Sequence, residues 1–147
     1  MDTTLRQTTR LSTLIFIVLS LTSGCSWLGS QPTPESNSTV IDIQHAGLLV
    51  NDQGGRELGL SLRNISTQTL WVAVRFQTPD NSSDCELGSE LAPNSEHVFV
   101  CPQNRLLPAV NYPILIRAYS DLEQSTELTT LETGLRFDAA DIQAAGL

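Results

Sequence analysis

Few residues in this chain could do chemistry. Two histidines, His45 and His97, and three cysteines, Cys25, Cys85 and Cys101, occur among 147 residues. A serine nucleophile needs a base and a group that orients the base, and no Gly-x-Ser-x-Gly is present. His45 and His97 lie in strand-like sequence, and for His45 a hydrogen-bonded structural histidine is expected. His97 stands four residues before Cys101, so a strand would turn both to one side and a metal pair is conceivable. No Cys-x-x-Cys and no His-x-x-x-His accompanies them, and zinc wants four ligands. The carboxylate pairs Asp80 with Asp84 and Asp121 with Glu123 fall in turn sequence, where such residues bond to nearby backbone. Calcium wants a denser oxygen cluster than Asp80-Asn81-Ser82-Ser83-Asp84 offers. Gly54-Gly55 reads as a turn, because the chain has no lysine to complete a phosphate cradle. The expectation is therefore no catalytic residue, no metal, no cofactor and no enzyme.

The cysteines are informative in another way. Arg6 and Arg10 precede the apolar run Leu11–Leu21, and the small residues Thr22, Ser23 and Gly24 follow. This is the order of a secretory signal peptide, residues 1–24. The competing reading is a membrane-spanning anchor. Leu11 to Gly24 would be about 21 Å long as a helix, short of a bilayer core of ~30 Å. Directly behind the run, Leu21-Thr22-Ser23-Gly24-Cys25 resembles the lipobox of bacterial lipoproteins. That resemblance implies a diacylated Cys25, usually acylated on its new amino group as well with fatty acids such as palmitate, and cleavage before it. The alternative is an ordinary secreted protein whose Cys25 is merely its first mature cysteine. With Cys25 lipidated, Cys85 and Cys101 remain as a pair in an oxidising periplasm, where a disulfide is expected.

Charge limits the partners. The net charge is -8, and the leader's Asp2, Arg6 and Arg10 contribute +1, so the mature chain carries -9. An acidic surface repels phosphate backbones, which speaks against nucleic acid. Ser26, not Asp, follows Cys25. By resemblance to enteric-type sorting this implies the outer membrane, facing the periplasm, rather than the inner membrane or the cell surface.

The elements that would position these residues are strands. Residues 25–38 read as a lipidated, flexible tether rich in Ser, Pro, Gly and Asn, with Trp27 and Leu28 placed to rest in the membrane interface. From Thr39 apolar residues recur with period two. Ile41 and Ile43 are followed by Leu48 and Val50, then Leu58, Leu60 and Leu62, then Leu70, Val72, Val74 and Phe76. Glu96–Cys101, Tyr112–Ile116 and Thr129–Phe137 complete the series. Turn sequences separate them. The expected fold is all-β: a single antiparallel β-sandwich, immunoglobulin-like, of six or seven strands over residues 39–137. Pro113 argues for an edge or a bulge. Residues 138–147 read as a tail with two alternatives, one or two helical turns capped by Asp138 or a frayed end.

Arg63-Asn64-Ile65-Ser66-Thr67-Gln68 leading into Leu70–Phe76, then Pro79-Asp80 and Leu91-Ala92-Pro93-Asn94-Ser95, resembles the central hairpin of small YcfL-type envelope lipoproteins. That family implies a shape and no settled activity. The expected function is a lipid-anchored envelope protein that binds a protein partner or serves as a structural or accessory module. The alternative is an envelope enzyme or a metal- or ligand-binding protein with an unrecognised site.

Overall fold

The computed structural model describes residues 26–28, 38–79, 84–102 and 106–144. Eight strands and one short helix account for most of them: β1 Ser26–Leu28, β2 Ile41–Val50, β3 Arg56–Asn64, β4 Leu70–Phe76, β5 Cys85–Leu91, β6 Glu96–Pro102, β7 Asn111–Tyr119, β8 Glu127–Arg136 and α1 Ala139–Ala144. They form two four-stranded sheets, ordered β1-β2-β3-β6 and β5-β4-β7-β8. Every pairing is antiparallel.

Alternation puts one face of each sheet inside. Ile41, Ile43, Leu48, Leu58, Leu60, Leu62, Phe99 and Cys101 of the first sheet meet Leu70, Val72, Val74, Phe76, Ile114, Ile116 and Leu135 of the second in a continuous core. Without β1, the first sheet is β2-β3-β6 against β5-β4-β7-β8, the crossing pattern of an immunoglobulin-like Greek key. A second hallmark agrees. Tyr112, at the start of β7, accepts a hydrogen bond at its hydroxyl from the Leu107 N–H at 2.7 Å, as the tyrosine corner of such sandwiches does.

Three details depart from the sequence reading. Ser26–Leu28, placed in the flexible tether by composition, is a short strand on the outer edge of β2, with Trp27 opposite Leu49. Gln44 is an extra residue between the pairs Ile43–Leu62 and His45–Ser61. This bulge flips the parity, so Ile41 and Ile43 before it and Leu48 after it all face the core. Pro113 is neither at an edge nor in a bulge: it lies in β7, between β4 and β8. Its carbonyl accepts from the Gln77 N–H at 2.9 Å, the return donor is the one proline lacks, and β4 stops one residue earlier, at Phe76. The proline is tolerated because it sits where the β4 ladder ends.

The tail begins as a helix because Asp138 and Asp141 cap it reciprocally. The Asp141 N–H donates to Asp138 Oδ1 at 2.8 Å, and the Asp138 N–H donates to Asp141 Oδ2 at 3.1 Å. Ile142 turns this helix onto the core.

Candidate functional site

The cysteines hold the sandwich along one side. Cys85 opens β5, opposite Phe76, and Cys101 lies near the end of β6, opposite Leu58. The two are disulfide-bonded with Cα atoms 6.1 Å apart. Since β5 and β6 are the outer strands of different sheets, the bond joins sheet to sheet. It differs from the antibody bridge, which links strands corresponding to β3 and β7 here.

The two histidines do not converge. His45 lies opposite Ser61 and His97 opposite Leu62. Consecutive strand residues point to opposite faces, so His45 is on the outer face of the first sheet and His97 on the inner side, at its rim. His45 packs against Trp27, ring centroids 5.6 Å apart, and His97 packs edge-on to Phe99 at 4.8 Å.

Sequence spacing did not suggest the group beside His45. The Ser61 hydroxyl, buried on the outer face, donates to the Glu96 carboxylate across to β6. Serine, histidine and carboxylate therefore neighbour one another, but not in the order of a Ser-His-Asp triad: the carboxylate, not the imidazole, accepts from the hydroxyl. In a nucleophilic triad the imidazole stands between the two. The arrangement braces β3 against β6.

Around this group the outer face forms an apolar seat. Gly47 and Gly59 are directly opposite each other and both are buried. Leu49 points outward, yet is only 1% exposed. Trp27 covers it. A Cβ at Gly59 would come 2.7 Å from Leu49 Cγ and 3.0 Å from Trp27 Cη2, so the indole lies where only glycine leaves room.

Two of the acidic residues singled out by sequence, Asp84 and Asp121, serve turns. Asp84 Oδ1 accepts from the Thr78 N–H at 2.7 Å and from the Thr78 hydroxyl at 3.2 Å, and Oδ2 meets Arg75 at 3.4 Å. The Thr78 N–H chiefly holds the Asp84 carboxyl below its ordinary value, against some desolvation, with the Thr78 hydroxyl and Arg75 assisting. Asp121 accepts from the Ser125 and Thr126 N–H groups at 3.0 and 3.2 Å. The Ser125 N–H is the main cause of its lowered pKa. Glu123 is exposed in the same turn. Among the described residues, no cluster of three or more His, Cys, Asp or Glu could hold a metal.

Asn64 is the centre of the far end. Its buried carboxamide donates to the Gln68 and Leu91 carbonyls at 2.8 and 2.9 Å, and accepts from the Ser66 N–H and hydroxyl at 2.9 and 2.7 Å. It fits a glycosylation pattern, but no sugar could reach an amide that is enclosed in this way. Ile65 and Leu122, in the neighbouring turns, are 45% and 63% exposed. On the second sheet, Gln77, Asn111, Pro113, Leu115, Glu132 and Gly134 line an open groove.

Cys25, the leader 1–24, most of the tether and Asp80–Ser83 lie outside the described residues. No family model matches the chain, and no curated protein matches it significantly.

Proposed function

We propose that this chain is a lipid-anchored protein of the bacterial envelope, acylated on Cys25, that acts at the periplasmic face of the outer membrane as a binding or accessory module. The observation that carries the reading is the Cys85–Cys101 bond. It accounts for two of three cysteines and fits an oxidising compartment. Cys25 is then the odd cysteine, directly behind an apolar run and three small residues. Two or more acyl chains give stable anchoring where one gives only marginal binding.

Docking of a protein partner is supported by exposed Ile65 and Leu122 at one end and by the outer strand β8. The mature charge of -9 favours a partner with a basic face and makes the encounter salt-sensitive. The YcfL-type resemblance belongs to the same proposal, supported by the Asn64–Ser66 turn leading into β4.

The test is Cys25→Ala in the native host, followed by fractionation and intact-mass analysis. The expected result is loss of the acyl mass and release from the membrane. Full retention in membranes would overturn the proposal. Density-gradient recovery in the outer-membrane fraction is expected for the wild-type protein, and recovery in the inner-membrane fraction would count against the role proposed for Ser26. Crosslinked capture of the partner tests the docking role.

A further inference from the structure

The seat on the first sheet bears on how the sandwich stands on its membrane. Ser26 lies opposite Val50 at the end of β2, beside the turn of residues 51–55. Cys25 is one residue before Ser26. The described fold therefore begins one residue after Cys25, and β1 runs antiparallel to β2, from its end toward its start.

A three-residue ladder is weak by itself. The hold comes from Trp27, whose indole lies against Leu49, Gly59 and His45. Two opposed glycines without side chains, Gly47 and Gly59, make the floor flat enough for it.

We propose that Ser26–Leu28 is a clamp that seats the sandwich directly on its lipid anchor, with the 51–55 turn toward the lipid surface and the turns 65–69, 92–95 and 120–126 away from it. This rests on acylation of Cys25. The ten residues of β2 span about 33 Å at ~3.3 Å per residue, so the exposed Ile65 and Leu122 are held well clear of the headgroups. Trp27 is committed to the sheet rather than to the membrane interface. The surface offered to a partner is therefore fixed by three residues beside the anchor.

The experiment uses full-length acylated protein in phosphatidylethanolamine–phosphatidylglycerol vesicles. Trp71→Phe leaves Trp27 as the only tryptophan. Trp27 emission is then quenched in turn by acrylamide and by brominated lipids, with and without Gly59→Val, which fills the seat. Circular dichroism verifies that each variant is folded. Gln53→Cys and Thr67→Cys, labelled with a donor dye in an otherwise native background, report energy transfer to headgroup acceptors from the near and far ends. The expected result is weak quenching by both agents, rising severalfold in Gly59→Val, and severalfold greater transfer from position 53 than from position 67. That difference should disappear in Trp27→Ala.

Strong quenching by brominated lipids in the unmodified seat would overturn the clamp. Equal transfer from both ends, with Trp27 shielded, would overturn the orientation. Failure of the protein to associate with vesicles would sink the anchoring reading and the orientation together. Shielding of Trp27 from acrylamide in that soluble protein would still support the clamp, and its exposure would refute the clamp as well.

Discussion

Asn64 Nδ2 donates to the Leu91 carbonyl at 2.9 Å, tying the end of β3 in one sheet to the end of β5 in the other. Both residues are buried, so water cannot replace the bond. Asn64→Ala would remove both donations of the carboxamide and free the Ser66 turn, at about 1–3 kcal/mol for a buried group left unsatisfied. Asn64→Asp should cost more than Asn64→Ala, because it turns a donor that faces two carbonyls into an acceptor. Thermal unfolding of both variants checks the order. Equal stability of wild type and Asn64→Asp would show that the carboxamide is not the tie described.

The disulfide works at the opposite end of β5. Its closure of a loop with a separation of 16 stabilises by roughly 3 kcal/mol in the chain-entropy model. Reduction, or replacement of both cysteines by alanine, should lower the denaturant midpoint without changing the sheet signal in circular dichroism. An unchanged midpoint, with peptide mapping showing the wild-type bond formed, would mean that the edges of β5 and β6 are held equally well without it.

Acid should loosen the turns that Asp84 and Asp121 cap. Both carboxyls are depressed in the folded protein relative to an unfolded value of about 3.9. Their contribution is complete above that value and is lost as pH falls through the folded pKa. The dependence therefore lies below about pH 4. Removing the ionisation with Asp84→Asn and Asp121→Asn should flatten that limb of the Tm–pH curve and leave no new dependence near neutrality. A new transition between pH 5 and 8 would point to another titrating group.

Where period two was strong, the sequence disclosed the strands. Leu58–Leu62 and Leu70–Phe76 alternate without interruption, and both are core strands. β5 was hidden because its inward positions are Cys85, Leu87, Ser89 and Leu91, with Glu86, Gly88 and Glu90 between them; the composition is that of a turn. β1 was hidden because three residues carry no period. Trp27 is explained only by a glycine pair 20 and 32 residues downstream, a contact that no local pattern contains. Pro113 misled because its place at the end of one neighbour's ladder depends on where β4 stops. The opposed faces of His45 and His97 follow from register across β3, which spacing along the chain does not contain.

β8 supplies the last prediction, on docking. It is the outer strand of the second sheet, ten residues long and free of lysine and proline, so few of the usual edge protections are present. The direction of its backbone can be read from Pro113. The Pro113 carbonyl points to β4, since it accepts from Gln77, and Gly134 lies opposite Pro113 in β8. The pair is therefore not mutually hydrogen-bonded, and the Gly134 N–H and carbonyl point away from β7. By alternation Thr130 and Glu132 also point outward, whereas Leu131 and Thr133 bond to β7. Thr130→Pro should remove an outward donor and leave the ladder intact, with little loss of stability. Leu131→Pro should break the ladder, at about 1–3 kcal/mol for the partner carbonyl left unsatisfied. If a partner adds a strand to β8, crosslinked capture should fall sharply in the folded Thr130→Pro protein, while His45→Gln with His97→Gln should capture normally. Undiminished capture by Thr130→Pro would move the contact to the Ile65 and Leu122 end. Loss of envelope function in the folded histidine pair would favour the enzyme or metal reading instead.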